Sequence, residues 1–277
     1  MKKLYGVIGD PIEHSMSPIM HNDAFKQLNL DAYYHPFHVN REDIGSAVKG
    51  MKALGIRGFN VTIPHKSSII PFLDGIDPLA QAIGAVNTVV LEEGEYIGYN
   101  TDGLGFLKGL EEECPFSIEK KKVMMIGAGG AARAIFYTLA SSGIEKIDIV
   151  NRTVQKGEQI INECPYPTNS KVLNLSEGSL KMNDYDIIIQ TTSIGMYPYI
   201  NESPISLEFL SKQVFISDII YNPFNTRLLI EASSKSCSGQ NGLAMFVNQG
   251  ALAFKKWTGV LPDTDRMKNI VKSQLGG

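Results

Sequence analysis

The sequence predicts an α/β protein made of two α/β domains: an N-terminal, mostly parallel βαβ domain completed by C-terminal helices, and a second, doubly wound domain. Three observations carry that expectation. Strand-length apolar runs alternate with helix-length stretches over the first 60 residues, the alternation restarts past a charged stretch near residue 120, and a glycine-rich turn follows the first strand of the second series. The 277 residues suit about two domains of roughly 150 residues each, and a chain of this size can bury about three quarters of its unfolded surface.

In chain order, the first series reads strand 4–8, helix 18–28, strand 33–39, helix 41–54 and strand 58–63. Ser17 before Pro18 reads as an N-cap followed by a first helical residue, and Asn40 precedes Arg41, Glu42 and Asp43, which set acids in a first turn. Strands 86–91 and 96–99 flank Glu92-Glu93-Gly94-Glu95, a hairpin signal that adds an antiparallel edge to the sheet. Helix 103–113 leads into Cys114-Pro115-Phe116 and Glu119-Lys120-Lys121-Lys122, read as a linker. The second series reads strand 123–126, helix 130–142, strand 146–150, helix 154–161, strands 185–190 and 214–219, and helix 226–234. Apolar residues at 243, 246, 247, 250, 251 and 254 form a helical stripe, and a last helix follows Pro262.

Composition excludes several classes. With 26 basic against 29 acidic residues and a net charge of −3, nucleic acid is disfavoured as a partner. Cys114, Cys164 and Cys237 lie far apart and form no Cys-x-x-Cys pair, so neither a disulfide framework nor a cysteine zinc site is indicated, and a reducing cytoplasm is the expected location. The N-terminal apolar stretch ends at Asp10, too short for a signal peptide core, and no run is long enough for a membrane span. The five histidines, His14, His21, His35, His38 and His65, form no ligand motif, so no metal is expected, and no G-x-S-x-G elbow supports a hydrolase.

Strand 123–126 runs into Gly127-Ala128-Gly129-Gly130-Ala131-Ala132-Arg133 and then an apolar helix. Glycines at 127 and 129 permit a tight turn and a close approach of backbone N–H groups to a pyrophosphate at the positive helix end. About 20 residues on, an NAD site places an acid for the ribose 2′-hydroxyl. Here stand Asn151-Arg152-Thr153, with Lys156 beyond. A neutral residue followed by cations suits a 2′-phosphate, so NADP is favoured over NAD. The bland alternative makes Arg152 and Lys156 surface cations and Thr153 a helix cap.

In the first domain, Ser15 and Ser17 are separated by one residue, so in extended backbone both hydroxyls face one way, suited to a small carboxylate. The alternative for Ser17 is capping. In Asn60-Val61-Thr62-Ile63-Pro64-His65-Lys66, Asn60 and Thr62 share a strand face and Lys66 follows at an expected helix start, beyond a strand's carboxyl end where α/β sheets bind ligands. Asn87 and Asp102 are the next polar groups beside turns, and Thr101 competes with Asp102 as a cap. A lysine and an aspartate brought together would supply the proton donor and acceptor that ketone reduction requires.

SMSPIMHN, NVTIPHK, GAVNT, GYNTDG, GAGGAAR, NRT, DIIYNPFNTRLL and NGLAMFVNQG, in that order, resemble the shikimate dehydrogenase family from Gly6 to Gly259. The resemblance implies a substrate domain over 1–103, an NADP-binding Rossmann domain over 104–240, and helices in 241–277 that return to the first domain. It implies NADP-dependent reduction of 3-dehydroshikimate to shikimate, a step toward chorismate and the aromatic amino acids, by a monomer or homodimer acting on a small molecule. Carried over by position, Ser15 and Ser17 hold the substrate carboxylate with Tyr221 nearby, while Thr62, Asn87 and Gln249 bond ring hydroxyls. Lys66 and Asp102 match the catalytic pair, and Met245 the residue beside the nicotinamide. The cofactor set is Gly127, Ala128, Gly129, Gly130, Ala131, Asn151, Arg152, Thr153, Lys156 and Thr192. Gln190-Thr191-Thr192-Ser193 stands where the family commonly has Asn-Ala-Thr-Ser, and Ala244 and Phe246 replace commoner Gly and Leu. Two other readings are a broader quinate/shikimate dehydrogenase, against which Asn151-Arg152-Thr153 speaks, and a non-catalytic sensor, against which Lys66 and Asp102 speak.

Overall fold

The computed structural model describes residues 2–144 and 146–275, which divide into two compact units, Met1–Thr101 with Val247–Gly277, and Asp102–Phe246. In the first unit the chain runs β1 (Lys3–Gly9), α1 (Ser17–Gln27), β2 (Ala32–His38), α2 (Ile44–Ala53), β3 (Gly58–Val61), β4 (Gly75–Ile76), α3 (Pro78–Ile83), β5 (Thr88–Glu92) and β6 (Glu95–Tyr99). The sheet order is β2-β1-β3-β5-β6-β4, parallel at β1/β2, β1/β3 and β4/β6 and antiparallel at β3/β5 and β5/β6. The hairpin therefore lies inside the sheet, because the two-residue strand β4 covers β6 and forms the edge. Apolar side chains converge on a core that includes Ile8, Val48, Phe59, Val89 and Tyr96.

The second unit holds α4 (Asp102–Glu113), β7 (Val123–Ile126), α5 (Gly130–Ser141), β8 (Ile147–Val150), α6 (Val154–Asn162), β9 (Val172–Leu173), α7 (Leu175–Lys181), β10 (Ile187–Gln190), β11 (Phe215–Asp218), α8 (Arg227–Ser234) and β12 (Gly239–Gln240). Its sheet is parallel throughout, in the order β12-β11-β10-β7-β8-β9. Counted from β7, that is the 3-2-1-4-5-6 order of a Rossmann fold, whose switch point between β7 and β10 opens a ligand crevice at the strands' carboxyl ends. Continuous apolar runs such as Val123–Ile126 and Ile187–Ile189 are fully buried, as strands covered on both faces require.

α9 (Leu243–Thr258) and α10 (Thr264–Gln274) end the chain. Within the first unit, the Trp257 indole N–H donates to the Val89 carbonyl at 2.9 Å and Phe254 packs on Phe25 at 4.8 Å between ring centroids. No described helix is long and apolar enough to cross a membrane.

Three local expectations are corrected. Ser17 is the first residue of α1, not its N-cap, which is Met16 and makes no side-chain capping bond; the Ser17 N–H donates to the Ser15 hydroxyl oxygen at 3.3 Å. Helix 41–54 is a 3-10 turn at Arg41–Asp43 followed by α2, and the Asn40 side chain bonds the Asp43 carboxylate rather than the backbone. Residues 66–69 form turns, so Lys66 opens no helix and no helix dipole opposes its charge.

Candidate active site

In the second unit the carboxyl ends of three strands are tied together. Gly127 follows β7 with φ +112°, a left-handed conformation that side chains disfavour, and a Cβ there would meet the Thr191 hydroxyl oxygen at 2.5 Å. Its N–H donates to the Val150 carbonyl of β8 at 2.9 Å, and the Thr191 hydroxyl donates to the Ile126 carbonyl at 2.7 Å. α5 then starts with Gly129 as N-cap and no side chain capping its first turn. A Cβ built at Gly129 or Gly130 meets nothing within 4 Å. Uncapped N–H groups at a positive helix end therefore face open space, which fits the pyrophosphate of a dinucleotide.

A cleft of about 510 Å³ adjoins this turn, lined among others by Gly127, Asn151, Arg152, Thr192, Tyr199 and Glu202. Of the two expected cations, Arg152 lines it, whereas Lys156, exposed one turn into α6, is not part of the lining. Thr153 stands at the N-cap of α6, yet its hydroxyl makes no capping bond; Asn151 instead donates to the Thr153 carbonyl at 2.8 Å. The capping account of Thr153 therefore fails.

Gln190, the departure from the family pattern, is fully buried and braces the loop after β10. Its amide oxygen accepts from the Thr192 N–H at 2.8 Å, and its amide nitrogen donates to the Thr192 and Ile194 carbonyls at 3.3 and 2.8 Å. That loop brings Ser193, Ile194, Tyr199, Glu202 and Pro204 to the cleft. Sequence reasoning missed all five, although their place beyond a central strand's carboxyl end was a usable signal.

Tyr221 is half-buried, stacked on Phe246 at 4.7 Å between centroids, and burial pushes its phenol pKa up. The turn that carries it is held by Asp218 at the end of β11, which accepts from the Ile220 N–H at 2.9 Å and the Thr226 hydroxyl at 2.7 Å. Desolvation raises the Asp218 carboxyl to about 6. Asp102 is buried as the first residue of α4, where a carboxylate is favoured by the positive helix end, and Met245 lies half-buried in the first turn of α9.

In the first unit, Asn87 is the hub. Its amide oxygen accepts from the Thr101 N–H at 2.8 Å and the Thr88 hydroxyl at 3.0 Å, and its amide nitrogen donates to the Thr101 hydroxyl at 3.0 Å and to Gln249 Oε1 at 3.4 Å. Asn87 and Gln249, 162 residues apart, thus meet. Lys66 is half-buried, and its carbonyl accepts from the Val86 N–H at 2.8 Å, which fixes its backbone next to Asn87. The Thr62 N–H donates to the Ile8 carbonyl at 3.0 Å, just past the end of β3. Ser15 is half-buried and Ser17 buried at the start of α1.

A Rossmann sheet with an uncapped glycine turn and an arginine-lined cleft, carried on one chain with a unit whose amides and hydroxyls converge, defines a class: a nicotinamide-dinucleotide oxidoreductase. Family models agree along the chain. The shikimate dehydrogenase substrate binding domain matches residues 7–89, shikimate / quinate 5-dehydrogenase matches 110–223, and the shikimate 5′-dehydrogenase C-terminal domain matches 242–272. A shikimate dehydrogenase (NADP(+)) of Bacillus cereus strain AH187 is 54% identical over 277 residues, covering 100% of both chains. Among solved structures, a shikimate dehydrogenase in complex with NADP+ is 46% identical with a TM-score of 0.92, covering 99% of this chain and 96% of that one. Shikimate 5-dehydrogenase from Listeria monocytogenes, in complex with shikimate and NAD, is 35% identical with a TM-score of 0.92, covering 98% and 96%. The chain belongs to the shikimate dehydrogenase family.

Proposed function

We propose that this protein is an NADP-dependent shikimate dehydrogenase, interconverting 3-dehydroshikimate and shikimate. The observation that carries the reading is the full-length kinship with an NADP(+)-dependent shikimate dehydrogenase; the arginine-lined cleft and uncapped α5 turn support the cofactor assignment. When bound, NADP supplies or accepts the hydride.

The chain's own residues do the rest. The amides of Gly129, Gly130 and Ala131 meet the pyrophosphate, Arg152 meets the 2′-phosphate, with Lys156 adding longer-range attraction, and Met245 flanks the nicotinamide. Ser15 and Ser17, with Tyr221, hold the substrate carboxylate; Thr62, Asn87 and Gln249 bond its hydroxyls. Reduction of the ketone leaves negative charge on its oxygen. Lys66 and Asp102 act as the coupled acid–base pair that delivers a proton to that oxygen, and in the reverse direction they take it back. The enzyme works in the cytoplasm, where Cys114, Cys164 and Cys237 stay as the free thiols seen here.

Purified protein mixed with shikimate and NADP tests the proposal. Reduced nicotinamide should accumulate in step with loss of shikimate. Turnover of quinate alone would shift the assignment to the broader dehydrogenase, and binding without turnover would make the protein a sensor.

A further inference from the structure

Helix α4 carries Asp102 at its first position, and two buried glycines of the same helix, Gly103 and Gly109, meet close neighbours that no assigned role uses. A Cβ built on Gly103 would overlap the Thr138 hydroxyl oxygen of α5, and would stand 2.5 Å from the Ala134 carbonyl oxygen and 2.9 Å from the Thr138 Cβ. One built on Gly109 would stand 2.9 Å from the Ala244 Cβ, 3.1 Å from the Ala244 carbonyl carbon and 3.2 Å from the Met245 nitrogen, in the first turn of α9. Bare backbone of α4 therefore lies on α5 at one point and on the start of α9 at another. Ala244, which stands where the family commonly has Gly, finds room for its methyl in the side chain that Gly109 lacks.

A methyl group at Gly103 cannot be absorbed where it stands, because packed interiors hold no spare volume, so one of the two helices must move. α5 resists: Ala134–Ala140 is a continuous buried run, and the Ala134 carbonyl belongs to the helix's own hydrogen-bond ladder. The Thr138 hydroxyl is fully buried and has no hydrogen-bond partner, so it fills the space beside Gly103 without bonding anything. α4, by contrast, exposes Leu104 and its last three residues, Glu111, Glu112 and Glu113. It is the element that yields, and Asp102 moves with it.

We propose that Gly103 and Gly109 are positioning residues: their bare α-carbons seat α4 on α5 and on α9, and so fix Asp102 and Met245 relative to the helix whose first turn receives the cofactor. Glycine is a poor helix former, so local structure does not ask for it at either place; the close approach does. Proton and hydride transfer need their groups aligned, and a displacement of about 1 Å can cost about 100-fold in rate. This proposal rests on the shikimate dehydrogenase reading and on the role of Asp102 in it.

The test is steady-state kinetics of full-length Gly103→Ala, with NADP binding titrated by calorimetry. kcat with shikimate should fall about tenfold or more, while every chain still binds NADP with a Kd within about threefold of the wild type, because α5 keeps its place. Thr138→Ala alone should keep kcat within about twofold; added to Gly103→Ala it removes the nearest overlap and should recover part of the lost rate. Gly109→Ala should lower kcat about three- to tenfold, and Ala244→Gly, which takes away the methyl it meets, should restore it. This second pair decides should Gly103→Ala fail to fold. An unchanged kcat in the glycine variants, a fall in kcat matched by a fall in the fraction of chains that bind NADP, or no recovery in the double variants would overturn the proposal. A wild type inert toward shikimate would instead bring down the function itself, and a normal kcat in Asp102→Asn the role of that residue.

Discussion

Arg152 is a cation of the cleft lining and Lys156 is not, which separates two residues that sequence spacing treats alike. A charge-assisted hydrogen bond contributes about 1.5–3 kcal/mol. Arg152→Ala should therefore weaken NADP roughly 10- to 100-fold and NAD little, while Lys156→Ala has a smaller effect. Equal losses for both cofactors, measured by titration calorimetry, would remove Arg152 from the 2′-phosphate. Lys66→Ala and Asp102→Asn should each lower kcat by about 10²- to 10⁴-fold, and the double variant should be little worse than the more damaging single one, because paired groups act non-additively. A raised KM with normal kcat in Lys66→Ala would make Lys66 a binding residue only. The residue types of this site were legible in the sequence; their partners were not. Spacing cannot show that Asn87 meets Gln249, nor that Gln190 turns inward to brace a loop.

At the scale of elements, α1 carries a pH-dependent liability. His21 is fully buried against Tyr34, Phe254 and Trp257, and desolvation lowers its pKa from 6.5 to about 3. The folded state keeps the ring neutral while the unfolded chain takes up a proton below pH 6.5, so stability present above that pH is lost as pH falls toward 3. Between pH 7 and pH 5 the loss is about 2 kcal/mol. Urea unfolding at both pH values should show this loss in the wild type and a shallower one in His21→Phe; parallel slopes would contradict the burial argument. The long elements were readable because their patterns are strong: Val123–Ile126 is continuously apolar, and the apolar stripe of α9 recurs at helical spacing. The short ones were not. β4, β9 and β12 are two residues each, too short for any periodicity, and without β4 the hairpin reads as an edge. α7 was missed although Asn174 and Glu177 form a capping box at its start, since only seven residues follow the cap.

At the scale of the molecule, the first unit is discontinuous: residues 247–277 complete a structure begun at the N-terminus. Phe254 packs on Phe25, and Trp257 bonds the Val89 carbonyl. A chain ending at residue 246 would leave that apolar face uncovered. It should lose cooperative unfolding of the first unit, and retention of a native-like thermal transition there would show that the C-terminal helices are dispensable. The fold class was legible because two series of alternating strands and helices each needed their own sheet. That the last helices belong to the first unit was not; it came from family resemblance, and no local pattern records it.

The measurement that bears most directly on the account is kcat/KM of the wild type for four pairs: shikimate or quinate, each with NADP or NAD. An Arg152-lined cleft without an acid at Asn151, together with full-length membership of the family, predicts the highest value for shikimate with NADP, by about tenfold or more over NAD, as one charge-assisted bond to the 2′-phosphate requires. A value for NAD equal to or above that for NADP, or for quinate above shikimate, would contradict it.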